Sequence, residues 1–275
     1  MNIYKNVRQF ASFGGDCSFN CLHCYTFGDN YNKRERGSIE DIIKELKNKS
    51  FKIIYISGHS ENFIDPDEGL SLCEQLFETY HTDILFTTRN VFNDKQLDRL
   101  SKLNEKMKSF NKSLYACVSI SATNSYKKIE PSPLIPTPQN RMDFLKQIYN
   151  HDIYTILTIR PVFPKSFIPI KECLEIIEKC ANHSSAVVAS GIFVDDEIKK
   201  RLRSFPFNIK FEKHPINGAL NKGMNMKIAN VSEELNLLKD ICRQNSVPFF
   251  TESMPALEYI SGKQYKKTKT QGKTR

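Results

Sequence analysis

The densest chemistry in the chain lies in eight residues, Cys17-Ser-Phe-Asn-Cys21-Leu-His23-Cys24, a C-x3-C-x2-C run. Three thiolates so close together can hold three corners of a four-iron, four-sulfur cube. No fourth cysteine stands nearby, so one iron is left open to a small molecule. Other uses of this run fit less well. A structural zinc site usually pairs two C-x2-C knuckles, or one knuckle with histidines at helical spacing, and the sequence has neither. A two-cluster ferredoxin needs a further cysteine run with a proline. Disulfides need an oxidising compartment, whereas nothing at the N-terminus reads as a secretory signal and the other cysteines are scattered. A zinc-binding protein without catalysis is the alternative to a cluster.

The elements that must position this run alternate strand with helix. Val7 to Phe13 predicts a short strand ending at Gly14-Gly15, and the cysteines follow directly. Ser38 caps a helix through Lys49, in which Ile39, Ile42, Ile43 and Leu46 form one apolar stripe. Residues 51–57 and 83–88 predict the second and third strands, with helices over 68–80 and 93–110. The fourth strand runs over 114–121 and the fifth over 154–162. Between them Thr137 caps a helix with Pro138 at its first position. A helix over 168–181 buries Cys173, Ile176, Ile177 and Cys180, and a sixth strand covers 186–194. Ser232 caps a last helix to Asn245, and 247–251 reads as a closing strand.

This order implies an α/β fold with parallel strands. A full eight-unit barrel takes about 250 residues or more. A partial (β/α)6 TIM-like barrel therefore suits the 275 residues better. One domain then spans 1–260, and 261–275 reads as a basic, disordered tail. In such folds chemistry gathers at the carboxyl ends of the strands. The cysteine run follows the first strand and so lies at that end.

The cysteine spacing is similar to that of the radical S-adenosylmethionine (radical SAM) enzymes. Glu130-Pro131, a proline-led helix with Arg141, and a strand ending in Arg160-Pro-Val-Phe-Pro164 resemble the spore photoproduct lyase-like branch of that superfamily. The resemblance spans about residues 10 to 165. It implies a [4Fe-4S] cluster on Cys17, Cys21 and Cys24, with S-adenosylmethionine on the open iron. Reductive cleavage then gives methionine and a 5′-deoxyadenosyl radical that abstracts hydrogen from a substrate. A flavodoxin or ferredoxin-type electron donor is implied as well.

The resemblance also implies cofactor contacts. His23 stacks near the adenine, and Tyr25 follows the run. Gly58 and Glu61 stand in place of a Gly-Gly-Glu motif that holds the methionine ammonium. The pattern departs there, because Ser57-Gly58 replaces the glycine pair and the acid is displaced. Arg89 stands where relatives often carry a lysine and pairs with the carboxylate. Ser119 and Ser121 reach the ribose. Cys117 shares their strand face and is either a buried small hydrophobe or a hydrogen-atom relay. Arg160 contacts cofactor or substrate, and Gly191 lets the adenine approach the backbone. The substrate is a nucleic-acid lesion or base, or alternatively a small molecule or peptide.

Composition agrees with an ordinary enzyme of the cytoplasm, at 40% hydrophobic and 26% charged residues. No apolar run approaches the roughly 18 residues of a membrane span. Eight cysteines without a signal segment imply a reducing compartment. The net charge of +9 is concentrated at the C-terminus. Residues 261–275 hold six basic and no acidic residues, leaving 34 basic and 31 acidic elsewhere. The tail suits either a polyanion or solvent.

Overall fold

Runs such as Asp83-Ile-Leu-Phe-Thr-Thr88 and Leu114-Tyr-Ala-Cys-Val-Ser119 are apolar on both faces, the pattern of a strand covered above and below. In the computed structural model both runs are central strands of a seven-stranded sheet. The structure describes residues 7–26, 35–58, 60–202, 204–206, 209–213 and 227–265. The sheet order is β1 (Arg8–Ala11), β2 (Ile53–Ile56), β3 (Asp83–Thr88), β4 (Leu114–Ser119), β5 (Tyr154–Val162), β6 (Ala186–Gly191) and β10 (Phe249–Phe250). Every neighbouring pair is parallel. Among the described residues β1 and β10 do not pair, so the sheet stays an open, partial barrel.

Helices cover the outer face, and their starts follow from local chemistry. Ser38 and Asp41 form a capping box on α1 (Ile39–Leu46). Asp65 accepts backbone N–H groups at the start of α2 (Pro66–Tyr80). Asn93 and Gln96 cap α3 (Asp94–Ser109), and Thr137 caps α4 (Pro138–Asn150). These helices, with α5 (Ile170–Cys180), bury Leu76, Leu100, Leu145 and Ile177 against the outer residues of the strands. The inner face carries a smaller cluster that includes Leu85, Tyr115, Cys117 and Ile156.

The sixth predicted strand is shorter than expected. It breaks at Ile192, and β7 (Phe193–Val194) leaves for a separate antiparallel sheet with β9 (Lys227–Ala229) and β8 (Phe211–Lys213). Gly191 allows the break. A side chain there would stand 2.6 Å from the Ala229 carbonyl, so only glycine admits this close backbone approach. The short helix α6 (Asp196–Arg201) follows. Ser232 is the first residue of α7 (Ser232–Gln244) rather than its cap, because its backbone N–H and hydroxyl both donate to Asn230.

The expected tail also begins too early. Ser261 closes α8 (Ser253–Ser261), a helix that the sequence did not reveal. Beyond it Tyr265 is buried, and Lys263 reaches Asp83 at 2.8 Å. Met254, Leu257 and Tyr265 pack on the inner face of the sheet, so the C-terminal segment lines the barrel rather than leaving it. Residues 266–275 lie outside the described residues.

Candidate active site at the cysteine loop

The cysteine loop leaves the carboxyl end of β1 and is pinned from several sides. Asn62, in the loop after β2, accepts from the Phe13 N–H and the Ser12 hydroxyl, both at 3.1 Å, and donates to the Ala11 carbonyl. Arg201, at the end of α6, donates to the carbonyls of Cys21 and Cys24 at 2.9 and 2.6 Å. Tyr25 donates its hydroxyl to the Gly58 carbonyl at 2.9 Å. These contacts fix the path of the loop.

Around the sulfurs the loop is apolar. Phe19, Cys21 and Ile135 are buried together, with Cys17, Cys24 and Ile64 against them. Burial raises the Cys17 thiol and pushes Cys21 up to about 12. Both thus hold their protons until a cationic centre stabilises the thiolates. Such a pocket excludes water and favours metal–thiolate bonding.

Cys21, His23 and Glu130 lie within 4.8 Å of one another. Glu130, however, is already engaged. It accepts from Arg89 Nε at 2.9 Å and from the fully buried Arg141 at 2.7 Å. Burial alone would raise its pKa, but Arg141 and Arg89 outweigh burial and hold Glu130 down at about 2. Only two donors remain for a lone zinc, which usually takes four.

The residues singled out from sequence separate into groups. Glu61 accepts the backbone N–H of Arg89 at 2.8 Å and that of Phe63 at 3.1 Å, and burial raises its carboxyl. Arg89 also approaches His23 Nε2 at 3.3 Å. Burial opposes the charge of Arg89, but the Glu130 carboxylate beside it more than restores the charge. Thus Cys21, His23, Glu61 and Arg89 share one neighbourhood. His23 is buried, with its ring edge-on to Phe163, and burial depresses its pKa to about 3, so the imidazole is neutral. Its Nδ1 has no hydrogen-bond partner.

On the inner face, Cys117 is buried and its thiol is pushed up to about 11 by that burial. Ser119 and Ser121 are buried too, and the Ser121 hydroxyl has no partner. Arg160 turns to the C-terminal segment, donating to the Ser253 hydroxyl at 3.1 Å and to the Thr251 carbonyl. The space beside Gly58 is filled by the Phe10 ring. At Gly191 the Cβ direction is occupied by the Ala229 carbonyl.

Four positioning residues were not identified from sequence: Asn62, Glu130, Arg141 and Arg201. Glu130 and Arg141 stood in the acid-proline loop and the proline-led helix, but nothing in their spacing joins them to Arg89.

No protein-family model matches the sequence, and no curated protein matches it. Solved structures do. A spore photoproduct lyase variant with bound AdoMet and dinucleoside spore photoproduct superposes with a TM-score of 0.60 at 13% identity, over 87% of this chain and 74% of that one. Streptococcus suis SuiB bound to its precursor peptide SuiA gives a TM-score of 0.59 at 14% identity, over 91% of this chain and 50% of that one. SuiB bound to S-adenosylmethionine gives 0.58 at 12% identity. The chain therefore spans about half of SuiB and shares the fold of both proteins. That fold is the one the resemblance to radical SAM enzymes implied. Among the described residues no helix is long and apolar enough to cross a membrane.

Proposed function

We propose that the protein is a radical SAM enzyme. The observation that carries this reading is the three-cysteine loop at the carboxyl end of β1, in a fold shared with two proteins whose structures hold S-adenosylmethionine. Cys17, Cys21 and Cys24 would hold a [4Fe-4S] cluster. Once reduced, by a flavodoxin or ferredoxin-type donor, the cluster supplies the electron that splits S-adenosylmethionine into methionine and a 5′-deoxyadenosyl radical.

The protein's own part is orientation. Arg89, held by Glu130, presents a fixed guanidinium beside the cluster loop for a carboxylate. Glu61 and the Gly58 carbonyl offer acceptors to an ammonium. The unpartnered Ser121 hydroxyl, with Ser119, faces a ribose. His23 and Tyr25 provide rings against the cofactor. Cys117, a protonated thiol on the inner face, would return a hydrogen atom to a substrate radical. The substrate class is read from the two fold neighbours: one holds a dinucleoside lesion and the other a precursor peptide. A nucleic-acid lesion or base is the first reading, and a peptide or small molecule is the second.

The test is anaerobic reconstitution with iron and sulfide, then reduction by dithionite with S-adenosylmethionine. 5′-Deoxyadenosine should appear, and should vanish in Cys17→Ala, Cys21→Ala or Cys24→Ala. Bound zinc without acid-labile sulfide overturns the reading. Deuterium transfer from labelled oligonucleotides or labelled peptides into 5′-deoxyadenosine separates the substrate classes.

A further inference from the structure

The opposite end of the barrel carries a second feature. An open cleft of about 660 Å³ lies where β2, β3 and β4 begin, away from the cysteine loop. Four of its lining residues are lysines: Lys49, Lys52, Lys112 and Lys263. Its only lining carboxylate, Asp83, is already taken by Lys263 at 2.8 Å, by the Ser113 N–H and by the Tyr265 hydroxyl. Lys49 is likewise paired, with Glu45 at 3.0 Å, so among the described residues Lys52 and Lys112 supply the positive charge of the cleft that no carboxylate meets.

Aromatic rings alternate with these cations. Phe51 sits beside Lys52 and packs edge-on against Tyr80 at 5.2 Å. Phe110 lies two residues before Lys112, and its ring stands 4.8 Å from that of His81, a lining residue. Phe110 is 48% exposed, a large apolar ring at the rim. Each loop leading into β2, β3 and β4 thus brings an aromatic ring, and two of them bring lysines. The sequence continues from Tyr265, on the cleft wall, into 266–275, where five of ten residues are basic and none is acidic.

We infer that this cleft is a docking surface for single-stranded nucleic acid. Lysines along a groove neutralise successive phosphates, and the exposed Phe110 ring near Lys112 gives a base a face to stack on. An anionic membrane is flat and does not enter a concave cleft. An acidic peptide would use the lysines but leave the rings idle. The inference concerns a surface remote from the cysteines, and binding there needs no cluster.

The test is fluorescence anisotropy of a labelled oligothymidylate of about 12 nucleotides, titrated with the full chain from about 50 to about 200 mM salt. Binding should weaken steeply with salt. Lys52→Glu with Lys112→Glu should weaken it at least tenfold and flatten the log–log salt slope by about 1.4, roughly 0.7 for each phosphate no longer neutralised. Phe110→Ala should weaken it about fivefold or more and leave the slope unchanged. All these side chains border solvent, and circular dichroism checks that the variants fold. S-Adenosylmethionine cleavage by the reconstituted variants should not change, which separates this surface from the cluster chemistry. Unchanged binding in the double charge reversal overturns the inference. So does polyglutamate that binds as tightly as the oligonucleotide, or binding that resides wholly in residues 266–275 and disappears when the chain ends at Tyr265.

Discussion

Arg89, Glu130 and Arg141 make the largest buried charge arrangement beside the cysteine loop. Two guanidiniums share one carboxylate, and Arg141 also donates to the Ser119 carbonyl at 2.8 Å. Buried charges are tolerated when paired, and removing one partner leaves the others uncompensated. Glu130→Gln should therefore cost about 3 to 5 kcal/mol in urea unfolding. A loss below about 1 kcal/mol would mean that water reaches the arginines. The pH dependence follows from the same carboxylate. Its folded pKa of about 2 lies below the ordinary value of 4.5, so its stabilisation is complete above that value and is lost as pH falls towards about 2. Acid unfolding between those limits should be shallower in Glu130→Gln than in the natural protein. His23 adds to the acid loss from a higher pH, because its folded pKa of about 3 lies below the ordinary 6.5 and protonation favours the unfolded chain as pH falls between those values.

At the scale of elements, the C-terminal segment closes the inner face of the barrel. Arg160 on β5 holds its start at Thr251 and Ser253, and Asp83 on β3 holds its end through Lys263 and Tyr265. Tyr115 adds a 2.8 Å hydroxyl contact to Tyr265. Tyr265→Ala removes a buried ring and both hydroxyl contacts, so a loss of about 3 kcal/mol or more is expected. Trypsin should then cut after Lys263 much faster than in the natural protein, and an unchanged digestion rate would refute the anchor. This segment was illegible in the sequence because short contacts, not periodicity, decide it. Pro255 sits inside α8, and the basic residues after Ser261 read as solvated. By contrast β3 and β5 start and end as the apolar runs predicted, because both faces of each strand are buried. The sixth strand failed at its end, where a glycine reads as strand but permits the crossing of Ala229. In the site, the cysteine loop was legible because three cysteines fall within eight residues. The Arg89–Glu130–Arg141 arrangement was not, since it joins the loop after β3 to the loop and helix after β4.

For the whole molecule, the decisive link is between ligand binding and folding. S-Adenosylmethionine that binds only the native state stabilises it by RT ln(1 + [L]/Kd), about 2.7 kcal/mol at a hundredfold excess over Kd. On the reading proposed above, much of that affinity comes from the open iron, with Arg89 and Glu61 orienting the ligand. The cluster-loaded protein should therefore show a clear rise in Tm with S-adenosylmethionine under anaerobic conditions, and the metal-free protein should show little. Arg89→Gln in the loaded protein should reduce the rise while leaving the iron content unchanged, because on that reading Arg89 binds the cofactor and supplies no metal ligand. An equal rise with and without the cluster would place the cofactor elsewhere in the barrel. A rise abolished by removing iron but untouched in Arg89→Gln would keep the cluster and remove Arg89 from cofactor binding. The two results fall on different links, the cysteine loop of β1 and the arginine after β3, which the parallel sheet brings to the same end of the molecule.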